Sequence, residues 1–426
     1  MANSFDSNIT AKLARTFLPA FESARVLSKR VNTQLFDGAR GFDPSTGDTI
    51  SVKRPTDYKS VRTAAGDLTA ATASDIITGK ASATVQNYIT VFCSFTEADQ
   101  AIKMDQLDQL LAPMATRMVT DLELDFANFM LKGAGLYAGT IGNAATTWDE
   151  IAEFGAVMQA AGVPMDERWT TVINPFTQRS LASNQRSLGG GAAGKAALTA
   201  HERAIITSDF AGMDVVTGTT LKTYTTGAGA DRAGAINGSP TVTYSAAKDT
   251  MTQSIPVDGF DAALPVKAGD RVQVAGTYQM NMSTREPMID ETGAKVLWTG
   301  TVTADVTMSG GAGTLVVTGP AIYEATGAYN TVDRALADND VITILGAAST
   351  TYQPNLFFHP RGATIASVPM QKLYSTDTLM QTKDGLQMRV SKFSNGTTNT
   401  QTVRFDLRPA FGIMNPFFIG AGYGVA

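Results

Sequence analysis

The sequence predicts a mixed α+β protein made of several modules in series, and three observations carry that prediction. A long amphipathic helical stripe runs through 97–132. Short β-branched strand candidates separated by Gly and Asp turns fill 222–350. Between the two, helix and strand signals alternate. At 426 residues the chain is longer than one compact core usually accommodates.

The elements follow in order. Residues 8–31 form an amphipathic segment, with Leu13, Phe17 or Leu18, Phe21 and Leu27 at roughly helical spacing and Lys12, Arg15, Glu22 and Arg25 between them. Pro19 falls inside it and predicts a kink or two shorter helices. The segment either docks on a neighbouring molecule or packs on its own domain. Next, Asp43-Pro44-Ser45-Thr46-Gly47-Asp48 is turn chemistry, and Thr49-Ile50-Ser51-Val52-Lys53 alternates like a strand. A polar excursion over 60–82 leads to a second strand from Thr84 to Phe95. The pair reads as a long hairpin with too little apolar material to fold alone.

The stripe through 97–132 consists of Ile102, Leu107, Leu110 or Leu111, Met114, Met118, Leu122, Phe126, and Phe129 or Met130, closed by Gly133 and Gly135. Pro113 is a candidate kink or break. Thr147 caps a helix ending near Gly162, Trp169–Ile173 is a buried strand stopped by Asn174-Pro175, and Phe176–Ser183 is helical again. Met213-Asp214-Val215-Val216 is a further strand. In the island 222–350, Arg271–Ala275, Val296–Trp298, Thr314–Val317 and Val341–Leu345 predict a small all-β barrel or sandwich, net charge −5. Strands resume at Leu356-Phe357-Phe358 and continue to Thr402–Leu407, so the island reads as an insertion.

Charge is distributed unevenly. Residues 1–62 carry ten Lys/Arg against six Asp/Glu, residues 351–426 carry seven against three, and the middle is net −13. Basic ends around an acidic middle suit contacts between subunits, and neither end is basic enough for a nucleic-acid-binding domain. One cysteine, Cys93, excludes an intramolecular disulfide framework. No apolar run reaches a membrane span, and the first residues lack a signal-peptide pattern, so the chain is expected in the cytosol when made.

Catalytic chemistry finds no convincing set. Gly189-Gly190-Gly191-Ala192-Ala193-Gly194-Lys195 fits the core of a phosphate-binding loop. Yet Ala196 stands where a magnesium-binding hydroxyl belongs, and Ser183–Ser187 is too polar for the preceding strand. Cys93 lies in an apolar strand, where a thiol is usually inert. His201 and His359 are far apart, with no metal-ligand spacing. The acidic run Asp121, Glu123, Asp125 could pair carboxylates along a helix face, but a solvated or inter-subunit face is the simpler reading. The expectation is a protein that is not an enzyme and uses no cofactor or metal.

The order of parts resembles the major capsid protein of tailed double-stranded-DNA phages, with the Hong Kong 97-type fold. It is most similar to the short-tailed-phage coat subgroup that carries an inserted telokin-like β-domain. Thr49–Pro55 sits at the first strand of the extended loop, and Leu122–Met130 looks like the C-terminal half of the spine helix. Ile173-Asn174-Pro175 resembles a strand-to-loop step of the axial domain, Phe210–Val215 the strand entering the insertion, and Ala268–Gly276 a hairpin strand of the inserted barrel. The Gly-rich loop at 189–194 is outside that pattern.

The resemblance implies an N-terminal arm over 1–36, an extended loop over 37–94 and a spine helix of the peripheral domain over 95–146. It then implies an axial domain over 147–221, an inserted barrel over 222–350, an axial return over 351–365 and peripheral strands over 366–426. It implies self-assembly into hexamers and pentamers of an icosahedral shell. Its partners would be a scaffolding protein, a portal protein, packaged double-stranded DNA on the inner face and, in some shells, a decoration protein, with no membrane. Candidate inter-subunit contacts are Lys53, Arg54, Tyr58, Lys59 and Arg62 in the loop, and Arg15, Arg25, Lys29 and Arg30 in the arm. The alternatives are an encapsulin-like nanocompartment shell, a secreted β-rich surface protein and, from another class, a nucleotide hydrolase acting through the 189–195 loop.

Overall fold

A computed structural model describes residues 6–33, 49–54, 58, 60–69, 75–96, 107–187, 194–207, 209–325, 327–374, 377–398 and 400–425. The turn at 43–48, the start of the long helical stripe, Gly189–Ala193 and Lys59 lie outside them. The fold is mixed α+β, and the chain divides into two compact units.

The first unit comprises 1–52, 82–127 and 363–412. Its main sheet is antiparallel, in the order Thr378–Gln381, Gln387–Asn395, Thr400–Leu407, Ile89–Thr96. Period-2 alternation puts Met388, Val390, Val403, Phe405 and Leu407 on one buried face. Helix Asp6–Ala24 covers that face: Phe17 and Phe21 are fully buried, and Phe17 stacks on Phe405 at 4.1 Å. The amphipathic segment therefore packs on its own domain. It is a single helix through Pro19, and it stops at Ala24, not near residue 31. Pro19 and Arg15 are both exposed, so the carbonyl that loses its helical partner lies on the water side.

The predicted strand from Thr84 to Phe95 is two strands. Lys80–Val85 lies between Thr49–Lys53 and Pro409–Ile413 in a second sheet that ends on Ala363–Ser367, whereas Ile89–Thr96 pairs with Thr400–Leu407. The polar break Gln86-Asn87 separates them, and each half finds its own partner. The long helix is Leu107–Lys132, unbroken at the exposed Pro113. In the first unit its buried stripe is Leu111, Ala115, Met118, Leu122 and Phe126, with Phe126 against Phe411 at 5.0 Å.

The second unit comprises 53–81, 128–362 and 413–426. Its six-stranded mixed sheet runs Leu136–Ala138, Ile419–Gly422, Asn355–Phe358, Thr170–Ile173, Met213–Thr217, Asp209–Phe210. Thr170–Ile173 is buried along its whole length, as the sequence suggests for a central strand. Helix Trp148–Ala160 opens on a capping box in which Thr147 and Glu150 each accept the other's backbone N–H, and buries Ile151, Phe154 and Met158. Phe154 and Phe357 stack at 5.1 Å. Gly420 and Gly422 make room for them: a Cβ would come within 2.0 Å of Phe357 and 2.3 Å of Phe154. The helix predicted over Phe176–Ser183 extends over Pro175–Ser187, and Gly194–Arg203 is another.

Between residues 217 and 355 the chain forms a closed antiparallel barrel. Its strands are Ala233–Ile236, Thr252–Asp258, Gly313–Thr318, Leu297–Val302, Arg271–Tyr278 and Val341–Ile344, the last pairing back to the first. The β-branched alternation explains its core: Ile255, Val272, Val274, Trp298, Leu315, Val317 and Ile342 are fully buried. Closure leaves no free sheet edge. The strands on either side of this stretch, Met213–Thr217 and Asn355–Phe358, both pair with Thr170–Ile173.

Candidate assembly surfaces

In the second unit the chain leaves its core at Arg54 and returns at Ile77–Lys80. The two feet are clamped together. Arg54 N–H donates to the Gly79 carbonyl at 2.8 Å, and its guanidinium reaches the carbonyls of Lys80 and Met414. Burial pushes Arg54 down to about 10. Lys80 N–H is held by Asp249 at 3.0 Å, and Gly79 lies so close to the Lys248 carbonyl that a Cβ would meet it at 2.4 Å. Ile77 packs into the main core of this unit. Between the feet every described residue from Tyr58 to Ile76 is exposed, including Tyr58, Val61, Leu68 and Ile76 at 46–72%. Large apolar side chains exposed to this degree, on a segment tethered at both ends, are what an intermolecular contact requires.

Of the loop candidates, Lys53, Tyr58 and Arg62 are exposed. Arg54 is not available to a neighbour, because it is buried and its Nε and Nη1 donate to carbonyls inside the chain. In the arm, Arg15 and Lys29 are exposed and Arg30 is half-buried, donating to the Val26 carbonyl. Arg25 turns inward: it is buried, ion-paired with Asp384 at 2.8 Å and bonded to Ser28. A guanidinium satisfied within the chain offers little to a partner.

Sequence reasoning missed the residue that holds the arm. Glu123 is buried on the long helix, and its carboxylate accepts N–H groups from Val26 (2.8 Å), Leu27 (3.1 Å) and Ser28 (3.0 Å), and the Ser28 hydroxyl (2.9 Å). The backbone just past helix Asp6–Ala24 thus forms an anion nest. Its neighbour Asp121 is a surface residue paired with Arg117 at 3.0 Å, so the acidic run does not act as one group.

The sheet face opposite helix Asp6–Ala24 is a second exposed area. Phe92 is 66% exposed, Tyr374 54% and Leu379 42%. Beside them Asp406 is buried under three donors, from Arg389 (2.6 Å), Arg404 (2.6 Å) and Thr90 (2.7 Å). Two arginines there share one carboxylate.

The barrel is fastened to the rest of its unit by Arg271. That buried guanidinium donates to the carbonyls of Leu131 (3.3 Å), Ala134 (2.8 Å) and Leu136 (3.4 Å), and to Thr301. It therefore caps the C-terminal end of Leu107–Lys132, where carbonyls are unpaired and the helix dipole is negative. Next to it Asp270 is buried against Arg232 at 3.3 Å, and burial raises its carboxyl above the usual range.

The catalytic candidates are placed as follows. Residues 183–187, just before the Gly-rich loop, are helical, so the strand–loop–helix order of a phosphate-binding loop is not met. Burial pushes the Cys93 thiol up, away from the reactive thiolate. His359 is buried, its Nε2 on Asp166 at 3.1 Å and its Nδ1 accepting from Arg361 N–H, and burial lowers its pKa. Among the described residues no group of three or more His, Cys, Asp or Glu could hold a metal ion, and no helix is long and apolar enough to cross a membrane.

Residues 1–424 match the family described as P22 coat protein, gene protein 5. The chain is 33% identical, over the full length of both, to the major capsid protein of Acyrthosiphon pisum secondary endosymbiont phage 1. Similar solved chains include one of Mycobacterium phage Che8 (12% identity, TM-score 0.44, covering 93% of this chain and 90% of that one). Another is from the capsid of cyanophage P-SCSP1u (11% identity, TM-score 0.42, covering 94% and 88%). The chain belongs to the P22 coat protein family, the structural major capsid proteins of phages.

Proposed function

We propose that this coat protein assembles with copies of itself into hexamers and pentamers of an icosahedral shell, on the Hong Kong 97-type plan, enclosing double-stranded DNA. The observation that carries the reading is the exposed segment between Arg54 and Ile77. Tyr58, Val61 and Leu68 are 46–61% exposed, so burying what remains against a neighbour is worth roughly 0.7–1.8 kcal/mol each, before the ordering cost of roughly 0.5–1.5 kcal/mol per side chain. Repeated around a closed ring, that surplus favours assembly over the monomer.

The barrel is read as the inserted telokin-like domain of the short-tailed-phage coats. Its attachment through Arg271 to the end of the long helix supports a role in stabilising the subunit from within. Arg15 and Lys29 give the arm an exposed positive face for a scaffolding protein or for packaged DNA, and such contacts weaken with salt. A portal protein at one vertex and a decoration protein on some shells complete the set of partners, with assembly in the host cytoplasm and the mature chain in the virion. Electron microscopy of the purified chain, alone and with its scaffold, tests this: closed shells or tubes are expected, and a chain that stays monomeric at every concentration contradicts it.

A further inference from the structure

Helices Pro175–Ser187 and Gly194–Arg203 pack together and, with Thr146 and Thr147, enclose an open cavity of about 520 Å³. Small side chains make the space: Ala182, Ala200 and Ala204 line it where larger residues would fill it. Its polar lining is one-sided. Arg179, Ser183 and Arg186 recur at i, i+4 and i+7, on one helix face, and His201 enters from the facing helix. Among the described residues no carboxylate lines the cavity and neither arginine has an ion pair. The nearby acid, Glu150, is engaged: its oxygens accept N–H groups from Thr146, Thr147 and Val425.

We infer that this cavity binds a phosphate group, either free inorganic phosphate or the phosphate of a nucleotide. Arg179 and Arg186 lie about 10 Å apart along their helix, two turns at roughly 1.5 Å per residue. Both side chains can therefore reach a tetrahedral oxyanion held between them, and guanidinium forks match phosphate oxygens. Ser183 sits midway on the same face to donate its hydroxyl, and His201 supplies a ring N–H from the opposite wall. The C-terminal turn of Gly194–Arg203 also faces the cavity and opposes an anion with about half a negative charge, which two guanidiniums outweigh. The described lining of the second helix is its far end, Ala200, His201 and the residue after its last turn, Ala204.

The test is titration of the purified, unassembled chain with sodium phosphate at constant ionic strength, read by thermal melting and by 31P line broadening. Saturable binding is expected, weakened at least about tenfold in R179Q and in R186Q. It should be unchanged in R168Q, which alters an exposed arginine paired with Asp209. A parallel titration with AMP separates the sources: tighter binding of AMP than of phosphate assigns the site to a nucleotide, and equal or weaker binding to the free ion. Absence of saturable binding to either probe, or equal affinity in all three variants, overturns the inference.

Discussion

Replacing Glu123 by Gln tests how the N-terminal arm is held. The wild-type carboxylate takes four hydrogen bonds, three at Oε1 and one, from Leu27 N–H, at Oε2. An amide keeps the shape but only one acceptor oxygen. With that oxygen facing Val26 and Ser28, its NH2 must meet Leu27 N–H, donor against donor. A hydrogen bond to a charged group is worth about 1.5–3 kcal/mol, and an unmet buried N–H costs about 1–3 kcal/mol. These overlap, so a loss of about 2–4 kcal/mol is expected for Glu123→Gln, and more for Glu123→Ala. Urea denaturation followed by circular dichroism reads the total. Amide exchange at residues 26–28 reads the site itself and should accelerate ahead of the main sheet. A change below about 0.5 kcal/mol, with protection at 26–28 intact, would refute the nest, since that is the ordinary range for a surface substitution.

Further expectations concern the barrel and pH. Residues 222–350 expressed alone should give a β-rich spectrum with Trp298 buried, because the core of the barrel is internal to it; a random-coil spectrum would place the boundary elsewhere. In the full chain Arg271→Leu should destabilise the second unit by roughly 2–4 kcal/mol, because the Leu131 and Leu136 carbonyls lose the guanidinium and Ala134 keeps only Thr301, while the isolated barrel tolerates it far better. Burial holds His359 below its ordinary value of 6.5. Its neutral form contributes stability that is whole above the unfolded value and lost as pH falls through the folded one, by at most about 1.4 kcal/mol per pH unit. His359→Gln should flatten the stability profile between pH 7 and 5, and an unchanged slope would assign that dependence to other groups.

Much of the fold is legible in local pattern. Thr147 with Glu150 announces its helix, the stripe Met118, Leu122, Phe126 is read off at its spacing, and the barrel strands follow from β-branched alternation. The errors fall where tertiary partners decide. Nothing local assigns Lys80–Val85 and Ile89–Thr96 to different sheets, because the strands that choose them, Pro409–Ile413 and Thr400–Leu407, lie over 300 residues away. Glu123 looks like any acid on a helix, and what makes it buried is a backbone turn 95 residues earlier. Arg25 and Arg54 resemble free surface cations, and only the fold provides Asp384 and Met414 to engage them. One sign was available: Glu123 follows Leu122 directly and precedes Phe126 by three, close to the apolar stripe and off the solvent face. The cavity between the two helices had no comparable sign, since Arg179 and Arg186 meet His201 only after the helices pack.

If the segment between Arg54 and Ile77 is held ready for another subunit, its removal should abolish assembly and leave the fold alone. Residues 60–75 are replaced by a short Gly-Ser linker, with Arg54, Ile77 and Gly79 kept in place, and the two chains are compared by sedimentation and electron microscopy. The shortened chain should be a monomer with unchanged circular dichroism and urea midpoint that no longer closes into shells. Normal shells from the shortened chain, or a chain that unfolds, would contradict that role.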